Sequence, residues 1–390
     1  MQDLTTLGEL SGITSTVSSP TVTFGDGTTP MRVVAPGGQN GALRLYGYGQ
    51  QTVNVTENTE VVSSTGGAFV VTSRDVGVEI NNAGTIRSAA GGLALFARVN
   101  SGSGDLRIDS STGVIDGRVD VRARDAVTGQ VDVSFGDITF DTAYGLALKV
   151  YGGRQNTGFN VETGSISAAQ GIGARIAHDG DGDATITLNG PVTAKYVGLT
   201  SIHYGGGKQF ISLTKMGRVT ATDGDYQRGA LDTYSGFGTS DVTVQGYIDP
   251  LTNQTYGAIY GEYTVLRSRT QFAEITIQNI ANVVGETLWG IEATSAFSDV
   301  RSGGDISIQN VTIGKIDDGD PSTPDKISHN GIRAFSGTGN INIGAADPAN
   351  GSGIGKVYAN NIGIEATAYG GDIAVHTSDT VQTVERGISA

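Results

Sequence analysis

Apolar and polar residues alternate in short Val-x-Val segments that return along the whole chain. Their centres are Val22/Phe24, Val53/Val55, Val78/Ile80, Leu106/Ile108, Val131/Val133, Phe159/Val161, Ile186/Leu188, Ile211/Leu213, Val242/Val244, Ile275/Ile277, Ile306/Ile308, Ile341/Ile343 and Ile373/Val375. Period-two alternation turns Val, Ile, Leu and Ala to one side and Thr, Asp, Arg and Ser to the other, the pattern of a half-buried strand. No stretch of comparable length carries a helical period. Recurrence at about 25 to 35 residues falls within the spacing of repeat architectures, in which each unit buries its apolar face by stacking on its neighbours.

One unit reads Asp183-Ala-Thr-Ile-Thr-Leu-Asn-Gly, then Pro191-Val-Thr-Ala, then Gly198-Leu-Thr-Ser-Ile-His. These are three short alternating segments separated by turns containing Gly or Asn. The third segment often takes the form Gly-Ile-x-Ala, as at Gly171, Gly290, Gly331, Gly363 and Gly387, and turns such as Ser302-Gly-Gly-Asp and Tyr369-Gly-Gly-Asp lead into the next Val-x-Val. Three strands per turn predict an all-β fold, a right-handed single-stranded parallel β-helix. About 13 coils stacked at the spacing of hydrogen-bonded strands would run roughly 60 Å. Small inward residues such as Ala174, Ala293 and Ala334 suit a narrow core. An antiparallel sandwich would need hairpin signals that are mostly missing, and a β-propeller would need four strands per blade. Residues 1–20 read as an N-terminal leader or cap and 21–390 as the solenoid. Arg386-Gly-Ile-Ser-Ala390 stops where another repeat would continue, so a solenoid truncated at its C-terminus is expected.

Composition narrows the chemistry. Gly is 60 of 390 residues and tracks the repeat, as turns require. The 39 acidic and 25 basic residues give a net charge of −14, which argues against a nucleic-acid partner. With no Cys, disulfides, thiolate metal sites and thiol catalysis are excluded. No apolar run reaches the length of a membrane span.

From Ile211 onward the repeat lengthens. The extra residues are expected mostly between the second and third strands: Thr222–Arg228, Pro250–Tyr256, Asn282–Trp289 and Asp317–Asp325. Ala345–Val357 is expected after the first strand. Insertions at equivalent turns emerge side by side, so one loop-bearing edge is predicted. It would carry Tyr226, Tyr256 and Trp289, with Tyr260 and Tyr263 close by. Such aromatics either bind a sugar or protein partner or simply cover strand edges.

Other candidates carry less. His178 and His203 recur at matching positions of successive coils, with Tyr151 and Tyr234 expected at the comparable end-of-strand position one coil either side, which suits a stacked ring ladder or a two-His metal site beside Asp179. Asp179-Gly-Asp-Gly-Asp183 begins like a calcium loop, but Gly190 stands where an EF-hand has its Glu, so a Gly/Asp turn fits better. No nucleophile motif of the Gly-x-Ser-x-Gly kind occurs. A polysaccharide-cleaving enzyme would need converging acids, and Asp225, Arg228, Glu262 and Arg267 are the least unsuitable set. No catalytic residue, metal ligand or cofactor is assigned.

The cycle of Gly-Ile-x-Ala, Gly-Gly or Gly-Asp turn, Asp-Ile-x-Ile and Gly-x-Val-x-Ala resembles the β-helical passenger repeats of bacterial autotransporters. It is clearest over Gly171–Ala194, Gly290–Val311 and Gly363–Val375 and extends over about Thr21–Ala390. The resemblance implies export through the periplasm and outer membrane to the cell surface or medium. It implies attachment only through a C-terminal β-barrel absent from these residues. It also implies a non-enzymatic role in adhesion, aggregation or host contact, with a host-cell protein, a glycan or another passenger as partner.

Overall fold

The computed structural model describes residues 2–3, 13–15, 19–35, 42–64, 67–223, 228–236, 240–296, 302–314, 328–344, 356–377, 381–383 and 386–390. The chain forms a right-handed parallel β-helix, and the only helical turn among the described residues is Ala89–Gly91. Each of the thirteen Val-x-Val segments lies in a strand. Two compact units, residues 1–186 and 187–390, are taken in turn.

In the first unit three ladders of parallel strands run through successive coils. The first-strand ladder stacks Val22, Val53, Ile80, Ile108, Val133 and Val161 in register. The second stacks Val33, Val61, Ile86, Ile115, Ile138 and Ile166. The third stacks Leu45, Val71, Ala97, Val121, Val150 and Ile176. All eighteen are at most 5% exposed, so like side chains meet like across every step. Burying each contributes about 1.5–3 kcal/mol for a Val- or Ile-sized group, which sets the register. The short strands Gln2–Asp3 and Ile13–Ser15 join the first and third ladders, so the segment before Thr21 also pairs.

The second unit repeats the plan. Ile211, Val244, Ile277, Ile308, Ile343 and Val375 form the first ladder. Val192, Val219, Ile259, Val283, Ile313, Val357 and Val381 form the second. Leu199, Leu231, Leu266, Ile291, Ile332, Ile364 and Ile388 form the third.

Corners account for the punctuation. Asn279 and Asn310 adopt left-handed backbone, and the Asn310 amide donates to the Asn279 side-chain oxygen at 3.0 Å. Asn tolerates that conformation and can bond its counterpart on the next coil. At the turn from third to first strand a Ser closes the third strand. Ser336 donates to the Gly304 carbonyl at 3.1 Å and accepts the Gly339 amide at 3.1 Å. The glycines of this turn lie against the preceding coil. A Cβ on Gly339 would stand 2.2 Å from the Gly304 carbonyl oxygen, and one on Gly371 would stand 2.2 Å from that of Gly339.

Candidate functional site

The expected loop edge is only partly assembled. Pro250–Tyr256 follows the strand Val242–Gln245 and precedes Ala258–Gly261, so it emerges between first and second strands, not second and third. Asn282–Trp289 is no insertion. Asn282–Gly285 pairs residue by residue with Ala258–Gly261 as a second strand, and Trp289 opens the third. The left-handed corner at Asn279 lets one continuous element, Ile275–Gly285, supply both strands. Tyr256 and Trp289 therefore stand at opposite ends of the second strands. Tyr226, Asp225 and the insertion Asp317–Asp325 lie outside the described residues, as does most of Ala345–Val357.

The remaining aromatics are half-buried. Tyr256 is the best anchored. Its hydroxyl donates to Gln254 Oε1 at 3.0 Å, and its ring lies 6.2 Å from that of Tyr247. Lys215 Nζ sits 4.8 Å from the Tyr256 ring centre and donates to Asp249 at 3.3 Å. The Leu251 amide, first, then Lys215 and the Thr252 amide hold the Asp249 carboxyl below its usual range. The Asp249 hydrogen bond, then Tyr256, raise the Lys215 ammonium above its own. Tyr260 lies on the neighbouring strand with the Arg218 guanidinium 5.5 Å from its ring. Both cations belong to one turn and strand, Thr214–Ala221, and cations over ring faces rigidify such a surface. Trp289 has Arg333 5.9 Å from its ring. Tyr263 is half-buried in the turn after Gly261 and makes no ring contact among the described residues.

His178 and His203 point inward. His178 is 1% exposed and stacks on Phe159 at 4.9 Å, and His203 is fully buried in the second unit. They occupy the end-of-strand place that Ser takes in other coils, since His203 pairs with Ser235. Tyr151 and Tyr234 do not share that position. Tyr151 pairs with Ala177 and Tyr234 with Ile202, one residue off, and one residue turns a side chain to the opposite face. Among the described residues no three His, Asp or Glu side chains are grouped to hold a metal ion. Arg267 of the acid–base set is engaged by Glu292 at 3.2 Å.

Sequence reasoning missed a charge contrast on the outer faces of the third strands. In the second unit Asp232, Arg267, Glu292, Arg333 and Glu365 follow one another in register. Signs alternate there, and Arg333 pairs with both Glu292 at 4.0 Å and Glu365 at 3.5 Å. In the first unit the same column reads Phe96, Asp120, Lys149 and Arg175, and the next reads Arg98, Arg122 and Tyr151. Asp120, 2% exposed, is shared by Arg122 at 2.5 and 2.6 Å and Arg118 at 2.9 Å. Burial pushes its carboxyl up, but the Arg122, Lys149 and Arg118 charges together hold it below its usual range. Arg98, Arg124, Lys149 and Arg175 form no direct ion pair among the described residues. Burial, then Arg124 and Arg122, lower the Arg98 guanidinium, and burial, then Arg122, lower the Lys149 ammonium. The signal was present as basic residues at outward positions 24 to 27 apart, at Arg98, Arg122, Lys149 and Arg175.

The chain matches no protein-family model, no curated protein and no solved structure.

Proposed function

We propose that the chain is a passenger of the autotransporter type, exported to the bacterial surface or medium, where it binds a host-cell protein or glycan without catalysing a reaction. Two things support this: the three-strand parallel coil with the repeat grammar quoted above, and a cluster of half-buried aromatics on the second-strand side of the second unit. The observation that carries the binding role is Tyr256. Its ring is fixed by Lys215 and Tyr247 at the end of an inserted loop, and it is half-exposed instead of folded into the core. A rigid aromatic beside a cation is an economical anchor for a sugar or protein partner.

Glycan-array and host-cell binding of the purified chain test the proposal. Tyr256→Ala combined with Tyr260→Ala is expected to weaken binding at least tenfold without changing the circular dichroism spectrum. Trp289→Ala, at the other end of the second strands, is expected to have a smaller effect. Cleavage of any bound polysaccharide, or full binding by the double variant, would overturn it.

A further inference from the structure

The outer third-strand face of the first unit concentrates positive charge in a chain of net charge −14. Opposite charges on adjacent strands stabilise a sheet face and like charges oppose it. The second unit follows that rule with its Arg–Glu ladder. The first unit departs from it. Arg98 and Arg122 are direct register partners, and Lys149 and Arg175 are too. One buried carboxylate, Asp120, serves this column and is already shared by Arg118 and Arg122. The remaining acids nearby, Asp125 and Asp179, flank the Tyr151 hydroxyl at 2.9 and 2.8 Å, and its single proton serves one of them at a time. Meanwhile the outer face of the first strands carries Glu79, Asp109, Asp132 and Glu162, with Arg107 between Glu79 and Asp132 as the one cation among these register partners, so acids predominate there. Arg122, Arg124 and Lys149 line a groove of about 530 Å³ with Asn100, Asp125 and Tyr151, and Arg98 is the register partner of Arg122 on the adjacent strand.

We propose that this groove binds an acidic polysaccharide, whose carboxylate or sulfate groups are met by Arg98, Arg122, Arg124 and Lys149. The Arg98 and Arg124 guanidiniums can take such groups bidentately, while Arg122 keeps its fork on Asp120 and contributes charge, and adjacent strands lie about 4.8 Å apart along the polymer. An anion here offsets the burial and the neighbouring cations that depress Arg98 and Lys149. The face suits other polyanions less well. Phe96, its central ring, is covered by the Arg98 and Arg122 guanidiniums at 5.5 and 5.7 Å, which leaves no platform for stacking bases. Ala126 is the one apolar residue among those lining the groove, which gives no seat to the large side-chain anchors of a protein partner. The chain's overall negative charge is screened beyond about 8 Å at physiological salt and does not oppose contacts within the groove.

The proposal stands independently of the passenger reading and of Tyr256. Its test is binding of the whole chain to fluorescent dextran sulfate and polygalacturonate, with neutral dextran, single-stranded DNA and polyglutamate alongside. Saturable binding to one of the acidic polysaccharides and none to dextran is expected. The variant Arg98→Gln/Arg124→Gln/Lys149→Gln should weaken it at least tenfold and flatten its salt dependence by about one unit per cation removed. Arg107→Gln, on the outer face of the first strands and paired with Asp105, should leave it unchanged. Should the triple variant fail to fold, Arg124→Gln, an exposed site, replaces it with a smaller expected loss. Undiminished binding by the folded variant, no binding to either polysaccharide, or tighter binding to DNA or polyglutamate would each overturn the proposal.

Discussion

Replacing Gly339 by Ala isolates what holds successive coils together. The added Cβ would lie 2.2 Å from the Gly304 carbonyl oxygen, 2.3 Å from its carbon and 2.7 Å from the Asp305 nitrogen. A relaxed carbon–oxygen contact needs about 3.3 Å, so the turn must open by roughly 1 Å. Bonds that fasten it are already near optimal: the Ile306 amide to Asn340 at 2.8 Å, the Asn340 amide to Asp305 at 2.7 Å and the Gly339 amide to Ser336 at 3.1 Å. An added 1 Å carries them beyond the 3.2 Å limit. Losing two or three bonds at about 0.5–1.5 kcal/mol each predicts destabilisation of about 1–4.5 kcal/mol. Urea unfolding followed by circular dichroism reads it, with faster amide exchange at Ile306 and Asn340. Gly370→Ala is the control, because its Cβ meets nothing closer than 3.6 Å, and it should stay within about 0.5 kcal/mol of the parent. Equal stability of the two variants would refute the reasoning.

Two buried carboxylates should respond oppositely to pH. Asp120 is held below its usual range, so its contribution is present above the unfolded-state carboxyl range and is lost as pH falls through the folded value. Asp232 is raised, by burial outweighing Arg269 and Arg267, so its contribution is full in acid and is lost as pH rises through its folded value. Asp120→Asn is therefore expected to destabilise at pH 7 by about 1–3 kcal/mol, discounted from a fully buried pair because its arginines are partly exposed. Asp232→Asn should be neutral or stabilising at pH 7, and urea unfolding at pH 4 and 7 checks both. Ser336→Ala, which strands the Gly339 amide, should cost about 1–3 kcal/mol, measured in the same way.

The first-strand ladders were legible in the sequence because period-two alternation survives wherever one face is buried and one solvated, as at Ile306-Ser-Ile. The third strands were legible from Gly-Ile-x-Ala, since the core takes Ile291 and Ala293 in turn. Second strands were harder. Asn282–Gly285 reads as a loop because Val283 and Val284 are both buried, and the alternation breaks. That error moved Tyr256 and Trp289 onto one edge. Parity also misled at Tyr151 and His178, where equivalent spacing concealed a one-residue offset. Net charge concealed the basic face altogether, because a total of −14 says nothing about which strands carry the cations.

The register of the coils is the claim on which the rest depends. The chain has no cysteine, so spin labels can be placed freely on outward residues of one column. Thr243, Thr276, Ser307 and Asn342 are successive register partners. Electron–electron distances between labels at Asn342→Cys and each of the other three should grow by about 4.8 Å per coil, from Ser307 to Thr276 to Thr243. Distances that fail to grow in that order would contradict the parallel coil.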